Sequence, residues 1–285
     1  MKKSIVIAVA MLFTLSSGCQ AAGTVQAGGE INWYKGENTP IRVIGVGIPP
    51  TVVTSILQSE KIAREAALSN AHDILTKMIN ELQVDSRRTM YDLTIANETA
   101  REKLAGLIKQ AKLIKWKEDP EGAYLGFQVN VFGADGVTKI ALEALKTLDS
   151  KVAPRSATNS RNMPDSMTLE DVYSGVIVDA RNLGFTLNLL PKIYDTGGRL
   201  IYDYRDADSD SVSLRGLVEY ARNVANISGV NRTPSRAGVK PIMVKALKVA
   251  DNGCNIIIST EDADKIIEQN KKWKFLHACL VVIVL

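Results

Sequence analysis

Histidine is nearly absent: His72 and His277 are the only two, so a histidine-rich metal centre is excluded. Neither sign of charge dominates, with 35 Lys+Arg against 31 Asp+Glu, and both halves of the chain are close to neutral. A basic nucleic-acid binder is thereby excluded, because neutralising phosphates takes a concentrated excess of Lys and Arg. Aromatic residues make up only 6% of the chain, and no apolar run is long enough to cross a bilayer as a helix. What remains is an ordinary folding composition, 46% hydrophobic, in 285 residues. At about 100–200 residues per domain, that length predicts two compact units.

The first twenty residues carry the most information. Lys2 and Lys3 precede an uncharged, mainly apolar run from Ile5 to Leu15, and Ser16, Ser17 and Gly18 lead to Cys19. This is the layout of a secretory signal peptide over residues 1–18. As a helix the apolar run rises only about 16 Å, roughly half the hydrocarbon thickness. Leu15-Ser16-Ser17-Gly18-Cys19 resembles a bacterial lipobox, with Ser16 where a bulky apolar residue usually stands. That resemblance implies diacylation of Cys19 as the mature N-terminus, stable anchoring through several acyl chains, and, with Gln20 following, the inner leaflet of the outer membrane. The alternative is ordinary cleavage near Ala21-Ala22-Gly23, leaving a soluble periplasmic protein. Loss of Lys2 and Lys3 leaves 33 basic and 31 acidic groups.

Beyond the signal, residues 19–29 read as a flexible tether. An α+β domain is expected over 30–149. A β-prone run, Ile41 to Gly47, must stop at Pro49-Pro50. A long amphipathic helix follows from Val52 to about Gln83, its stripe rich in Ala63, Ala67 and Ala71, so that it can lie close on a small antiparallel sheet. A second helix is predicted from Leu93 to about Ala111, then strands Leu113 to Lys117 and Tyr124 to Phe132, the latter alternating Leu125, Phe127, Val129 and Val131 against Gly126, Gln128 and Asn130. A helix over Asp135 to Leu148 closes the unit. Residues 150–167, rich in Pro, Ser and Asn, read as a linker.

The second unit, 168–285, is expected to be a strand-rich α+β domain. Strands are predicted at Gly175 to Ala180, Phe185 to Leu190, Ile242 to Val249 and Cys254 to Ser259, the last two separated by Asp251-Asn252-Gly253. A hairpin is predicted around Thr196-Gly197-Gly198 and a helix over Val218 to Ile227. Thr260 stands as the N-cap of a further helix, and Leu280 to Leu285, apolar on both faces, reads as a central strand.

Arg42 to Pro50 with the Ala-rich helix and the Tyr124-to-Phe132 strand, together with Tyr173 to Phe185, Pro191 to Asp195 and Asp262 to Ile266, resemble the LPP-twenty family of bacterial envelope lipoproteins. Its relatives include flagellum-associated outer-membrane lipoproteins and the N-terminal part of the flagellar assembly protein FlgT. The resemblance implies an α+β envelope lipoprotein, in some cases serving flagellar assembly, without known catalysis and with no active-site residues to carry over.

The residues offer few chemical candidates. Asp195-Thr196-Gly197 matches the aspartic-protease triplet, but Gly198 and two flanking β-prone runs make it a hairpin turn. Asp206, Asp208 and Asp210 mimic the start of a calcium loop, yet Ser211 and Leu217 stand where its glycine and bidentate glutamate belong, so it reads as a solvated acidic loop. Gly45-Val46-Gly47 lacks the third glycine of a dinucleotide fingerprint, and His72 and His277 lack a nucleophile elbow. No catalytic residue, metal or cofactor is therefore expected. Cys254 and Cys279 each begin an apolar strand, and an oxidising periplasm permits either a disulfide between them or two buried thiols. The expected function is a non-enzymatic, lipid-anchored structural or assembly component whose partners are the membrane, envelope proteins including flagellar components, and further copies of itself. The alternative is a periplasmic module binding a protein, peptidoglycan or a small ligand.

Overall fold

The structure, a computed structural model, describes residues 26–50, 52, 55–119, 121–149, 172–222 and 236–285. The signal peptide, Cys19, most of the tether, the linker 150–167 and residues 223–227 of the helix predicted from Val218 lie outside the described residues. The fold is α+β, with an antiparallel sheet in the first half and a strand-rich second half.

In the first half, β1 (Gly28–Ile31), β2 (Pro40–Gly47), β3 (Lys112–Asp119) and β4 (Gly122–Asn130) form an antiparallel sheet in the order β1-β2-β4-β3. The long helix α1 (Ile56–Asn80) buries Ala63, Ala67, Ala71, Leu75 and Ile79, one residue per turn, against β2 and β4. Small residues meet on both sides of this contact. A Cβ on Gly45 would sit 2.6 Å from the Ala71 Cβ, and one on Gly47 2.6 Å from the Ala67 backbone N. The Asn70 side chain accepts a bond from Val46 N–H at 3.0 Å, tying helix to strand. Helix α1 runs antiparallel to β2, so its C-terminal end lies at the start of that strand.

The predicted Leu93–Ala111 helix is two helices. Thr89 and Asp92 form a capping box for α2 (Met90–Ala96), and Asn97 then adopts an extended conformation and accepts from Ala100 N–H as the cap of α3 (Glu98–Lys109). Helix α4 (Val137–Leu148) closes the unit with its apolar face buried.

The second half contains two further sheets. One has the order β10-β11-β6-β7, from β6 (Ile193–Asp195), β7 (Leu200–Tyr202), β10 (Lys248–Ala250) and β11 (Asn255–Ile258). The other, β8-β12-β5-β9, is wholly parallel and uses β5 (Gly175–Asp179), β8 (Glu219–Ala221), β9 (Pro241–Lys245) and β12 (Val281–Val284). As expected of an apolar run on both faces, β12 is central and all four of its residues are buried. Helices α5 (Ser209–Arg215) and α6 (Thr260–Trp273) complete this half.

Several boundaries differ from expectation. Phe185 to Leu190 forms no strand: Thr186 N–H bonds to Gly253 O, while Leu189 and Leu190 N–H bond to Gln83 O and Val84 O of the first half. The described part of the helix predicted from Val218 is β8, whose residues pair with β12. The run Ile242 to Val249 is divided between β9 and β10 in different sheets, because the backbone turns at Ala246-Leu247. Ser259, not Thr260, caps α6, accepting from Asp262 N–H at 3.0 Å. The acidic segment after Tyr204 contains a helix, α5, with Asp208 as its cap.

The two halves share one continuous core. They meet at the end of the first sheet where β2 begins and α1 ends, through the bonds from Leu189 and Leu190 and from Gly133 N–H to Ser213 O at 2.9 Å. A Cβ on Gly216 would lie 2.7 Å from the Phe132 ring, which leaves room only for glycine there.

Candidate functional site

Of the candidate carboxylates picked out of the sequence, Asp195, Asp206 and Asp208 are engaged locally. Asp195 is 3% exposed; its Oδ1 accepts from Arg199 N–H at 2.8 Å and its Oδ2 from Arg199 Nε at 2.9 Å. Arg199 continues to Asp264 at 2.6 Å. The Arg199 backbone N–H, followed by its guanidinium, holds the Asp195 carboxyl below the usual range, whereas a proton-sharing dyad needs one carboxyl raised. Gly198, at φ +81°, completes the turn of the β6–β7 hairpin. Asp203, also buried, is paired with Arg205, and Asp179 with Arg181 at 2.6 Å. In all three cases the arginine lies two or four residues after the aspartate and donates both backbone and side-chain N–H groups. The repeated device pins a chain reversal beside a strand.

The Asp206, Asp208 and Asp210 segment is similarly explained in part. Asp206 accepts from Asp203 N–H at 3.0 Å, and Asp208 from Ser211 N–H at 2.8 Å, which keeps the Asp208 carboxyl low. Among the described residues no group of three or more His, Cys, Asp or Glu could hold a metal ion. His72 packs on Phe127, ring centroids 5.6 Å apart.

Cys254 and Cys279 are both buried free thiols, so the bridge considered between them is not made. Cys254 follows the Asp251-Asn252-Gly253 turn beside β11, whereas Cys279, at φ +57°, enters β12 of the other sheet. Burial pushes both thiols up, which keeps them protonated and unreactive.

A further polar constellation lies at the joint between the halves. Asp149, the residue after α4, receives Arg88 Nη2 at 3.0 Å and the Tyr204 hydroxyl at 3.1 Å. On another side of the joint Trp33 meets Tyr220 edge to face at 6.0 Å, and the Arg222 guanidinium lies 4.5 Å from the Tyr34 ring centroid. Arg236, with only 5% of its side chain exposed, donates to the carbonyls of Arg215 and Gly216 and so caps the C-terminal end of α5; its Nε lies 3.7 Å from Glu219. These groups escaped the sequence reading because the partners stand far apart in the chain, 61 residues for Arg88 and Asp149 and 55 for Tyr204 and Asp149.

This joint predicts an alkaline weakness. Burial, followed by the charge of Asp149, pushes the Tyr204 phenol up to about 12. Its unfolded value is about 10, so its contribution is full below pH 10 and is lost as pH rises toward 12. Tyr204→Phe should cost about 1 kcal/mol at pH 7, a charge-assisted bond discounted for partial exposure. In urea titrations the wild-type advantage should shrink steadily between pH 10 and 12.

Elsewhere the surface carries a shallow depression of about 530 Å³ beside the end of α1, lined by Asp73, Thr76, Lys77, Asn80, Glu81, Thr89 and Tyr91. Large apolar side chains are exposed on the edge strand β3, at Leu113, Ile114 and Trp116, and around the β2–α1 connection, at Ile48, Val52, Ile56 and Leu57. No helix among the described residues is long and apolar enough to cross a membrane. The arrangement is therefore one of paired charges, a hydrogen-bonded joint and exposed apolar side chains.

No curated protein matches the chain. Residues 175–285 match the family described as Treponema pallidum Tp0624, second domain. The matched span begins at the first residue of β5 and takes in both sheets of the second half, so this chain is similar to that domain over its C-terminal unit.

Proposed function

We propose that the protein is a non-enzymatic lipoprotein, anchored through Cys19 to the periplasmic face of the outer membrane, where it serves as a structural or assembly component. The observation that carries this reading is how the chain enters the fold. β1 is an exposed edge strand beginning at Gly28, nine residues after Cys19 in the sequence, so the fold begins a short stretch of chain after the proposed acylated residue. The engaged state of Asp195, Asp203 and Asp179 supports a role without catalysis. The similarity of residues 175–285 to a second domain supports a modular protein. Flagellar components are the partners implied by the LPP-twenty resemblance, and further copies of the chain are the partners expected of a structural component. Labelled palmitate should enter the wild-type protein and fail to enter Cys19→Ala; no incorporation into the wild type would refute the anchor.

A periplasmic binding module is the second reading, and the depression beside Tyr91 is the observation in its favour. Light scattering separates the two: a stable oligomer supports assembly, a monomer the module.

A further inference from the structure

We propose that the open edge of β3, from Lys112 to Glu118, is a docking site for an extended acidic segment of a partner protein, which joins the first sheet as a further strand. The proposal deepens the assembly reading by giving the partner a chemistry, and it rests on that reading only for the partner's place in the envelope.

Three observations carry it. First, the edge is long and open. β3 has eight residues against four in β1, the other edge of the sheet, and Lys112 to Glu118 are all exposed. Helix α1 packs on β2 and β4 and reaches β3 through Arg64, which pairs with Glu118 at 2.6 Å and lies 4.4 Å from the Trp116 ring centroid. Second, large apolar side chains stand on this strand: Leu113 is 47% exposed, Ile114 44% and Trp116 53%. A long edge strand with unburied apolar side chains is a template for strand addition. Third, a β-bulge sorts the side chains by chemistry. The register with β4 shifts between Leu113 and Lys115, so Ile114 is skipped. Without that extra residue Lys112 and Lys115 would face opposite ways. With it, Lys112, Lys115 and Lys117 stand opposite Gln128, Gly126 and Tyr124 on the outer face, and Lys117 Nζ lies 5.6 Å from the Tyr124 ring centroid. Leu113, Trp116 and Glu118 stand opposite Phe127, Leu125 and Ala123 on the face toward α1, where His72 packs on Phe127.

The two rows define the occupant. A strand laid along the edge sends alternate side chains to opposite faces, about 7 Å apart on each. Acidic ones meet the lysine row, and apolar ones lie on Leu113 and Trp116 beside α1. Glu118 is already held by Arg64, and Asp119 and Glu121 come after the lysines in the chain, so the positive row is the part a partner can complement. A second copy fits less well. Two β3 strands paired antiparallel about Trp116 would set Lys115 against Lys117 twice, and like charges directly opposite disfavour pairing. A guard against aggregation accounts for the lysines but gives no reason for Leu113, Ile114 and Trp116 to stay on the surface beside them.

The test uses the mature protein purified from the envelope fraction and a fluorescein-labelled peptide alternating valine and glutamate over about ten residues. Two control peptides accompany it: one with lysine in place of glutamate, and the acidic sequence N-methylated throughout, which has no N–H to give to a ladder. Fluorescence anisotropy should show the acidic peptide binding about ten-fold or more tighter than either control, and weakening as salt rises toward about 0.5 M. Lys112→Glu combined with Lys115→Glu should reverse the preference between the acidic and lysine peptides, while the far-UV circular dichroism stays unchanged. Equal binding of the N-methylated peptide, or no binding of the acidic one, would overturn strand addition. Light scattering that finds a wild-type dimer dissociated by Trp116→Glu would also overturn the proposal, by giving the edge to a second copy. Palmitate labelling of the same preparation tests the lipid anchor separately, so failure at the edge and failure of the anchor are told apart.

Discussion

Gly47→Val should be among the most damaging single substitutions in the chain, costing at least about 3 kcal/mol and lowering the melting temperature by roughly 6–12 °C. The reason is the material that a side chain would meet. A Cβ at position 47 would overlap the Ala63 carbonyl oxygen and sit 2.6 Å from the Ala67 N, both backbone atoms of α1 that no rotamer change can move. The helix would have to lift from the sheet, uncovering the stripe from Ala63 to Ile79. Two glycines supply controls in the same protein. Gly28 has nothing within 4 Å, so Gly28→Ala should change stability by less than about 0.5 kcal/mol. Gly106 is also open but lies inside α3, where alanine should stabilise by about 0.5–1 kcal/mol. Thermal unfolding of the three variants should thus give a large loss, no change and a small gain; equal effects would mean that the close helix–sheet contact is not as described.

Arg236→Met should cost about 2–4 kcal/mol despite the near match in length. The guanidinium is almost wholly buried, and burial lowers its proton affinity, with Glu219 the first of the groups that oppose the shift. Methionine would leave the carbonyls of Arg215 and Gly216 without their donor and Glu219 without its counter-charge. Lysine should rescue poorly, because one ammonium cannot reproduce a planar fork aimed at two carbonyls. The helix concerned, α5, supplies Ser213 to the joint and is followed by Gly216 against Phe132. Loss of its cap should therefore loosen the joint and speed proteolysis between the halves before the first sheet unfolds. Circular dichroism in urea gives the magnitude, and limited proteolysis the order of events.

The parts of the fold that could be read from sequence were those in which one local force dominates. The alanine stripe at helical spacing specified α1 and its closeness to a sheet, the alternation from Leu125 to Val131 specified β4, and an apolar run on both faces specified the central β12. The failures share a cause too. Asn97 looks like an interior helix residue until its side chain is seen capping α3, and Ala246-Leu247 looks like strand until β9 and β10 are found in separate sheets. Phe185 to Leu190 has strand-like residues, but its backbone partners are Gly253, Gln83 and Val84, selected by tertiary packing. Of the candidate residues, the turn at Asp195 was legible from its glycines. The joint of Arg88, Asp149 and Tyr204 was not, because nothing local marks side chains whose partners lie more than fifty residues away.

The proposed anchoring depends on Cys19 more than on any other residue, since the entry of the chain at β1 takes its meaning from a lipid at that position. The most direct test is mass spectrometry of the N-terminal peptide of the mature protein isolated from its own envelope. This peptide should begin at Cys19 and carry acyl chains. An unmodified N-terminus at or near Gly23 would contradict the anchor.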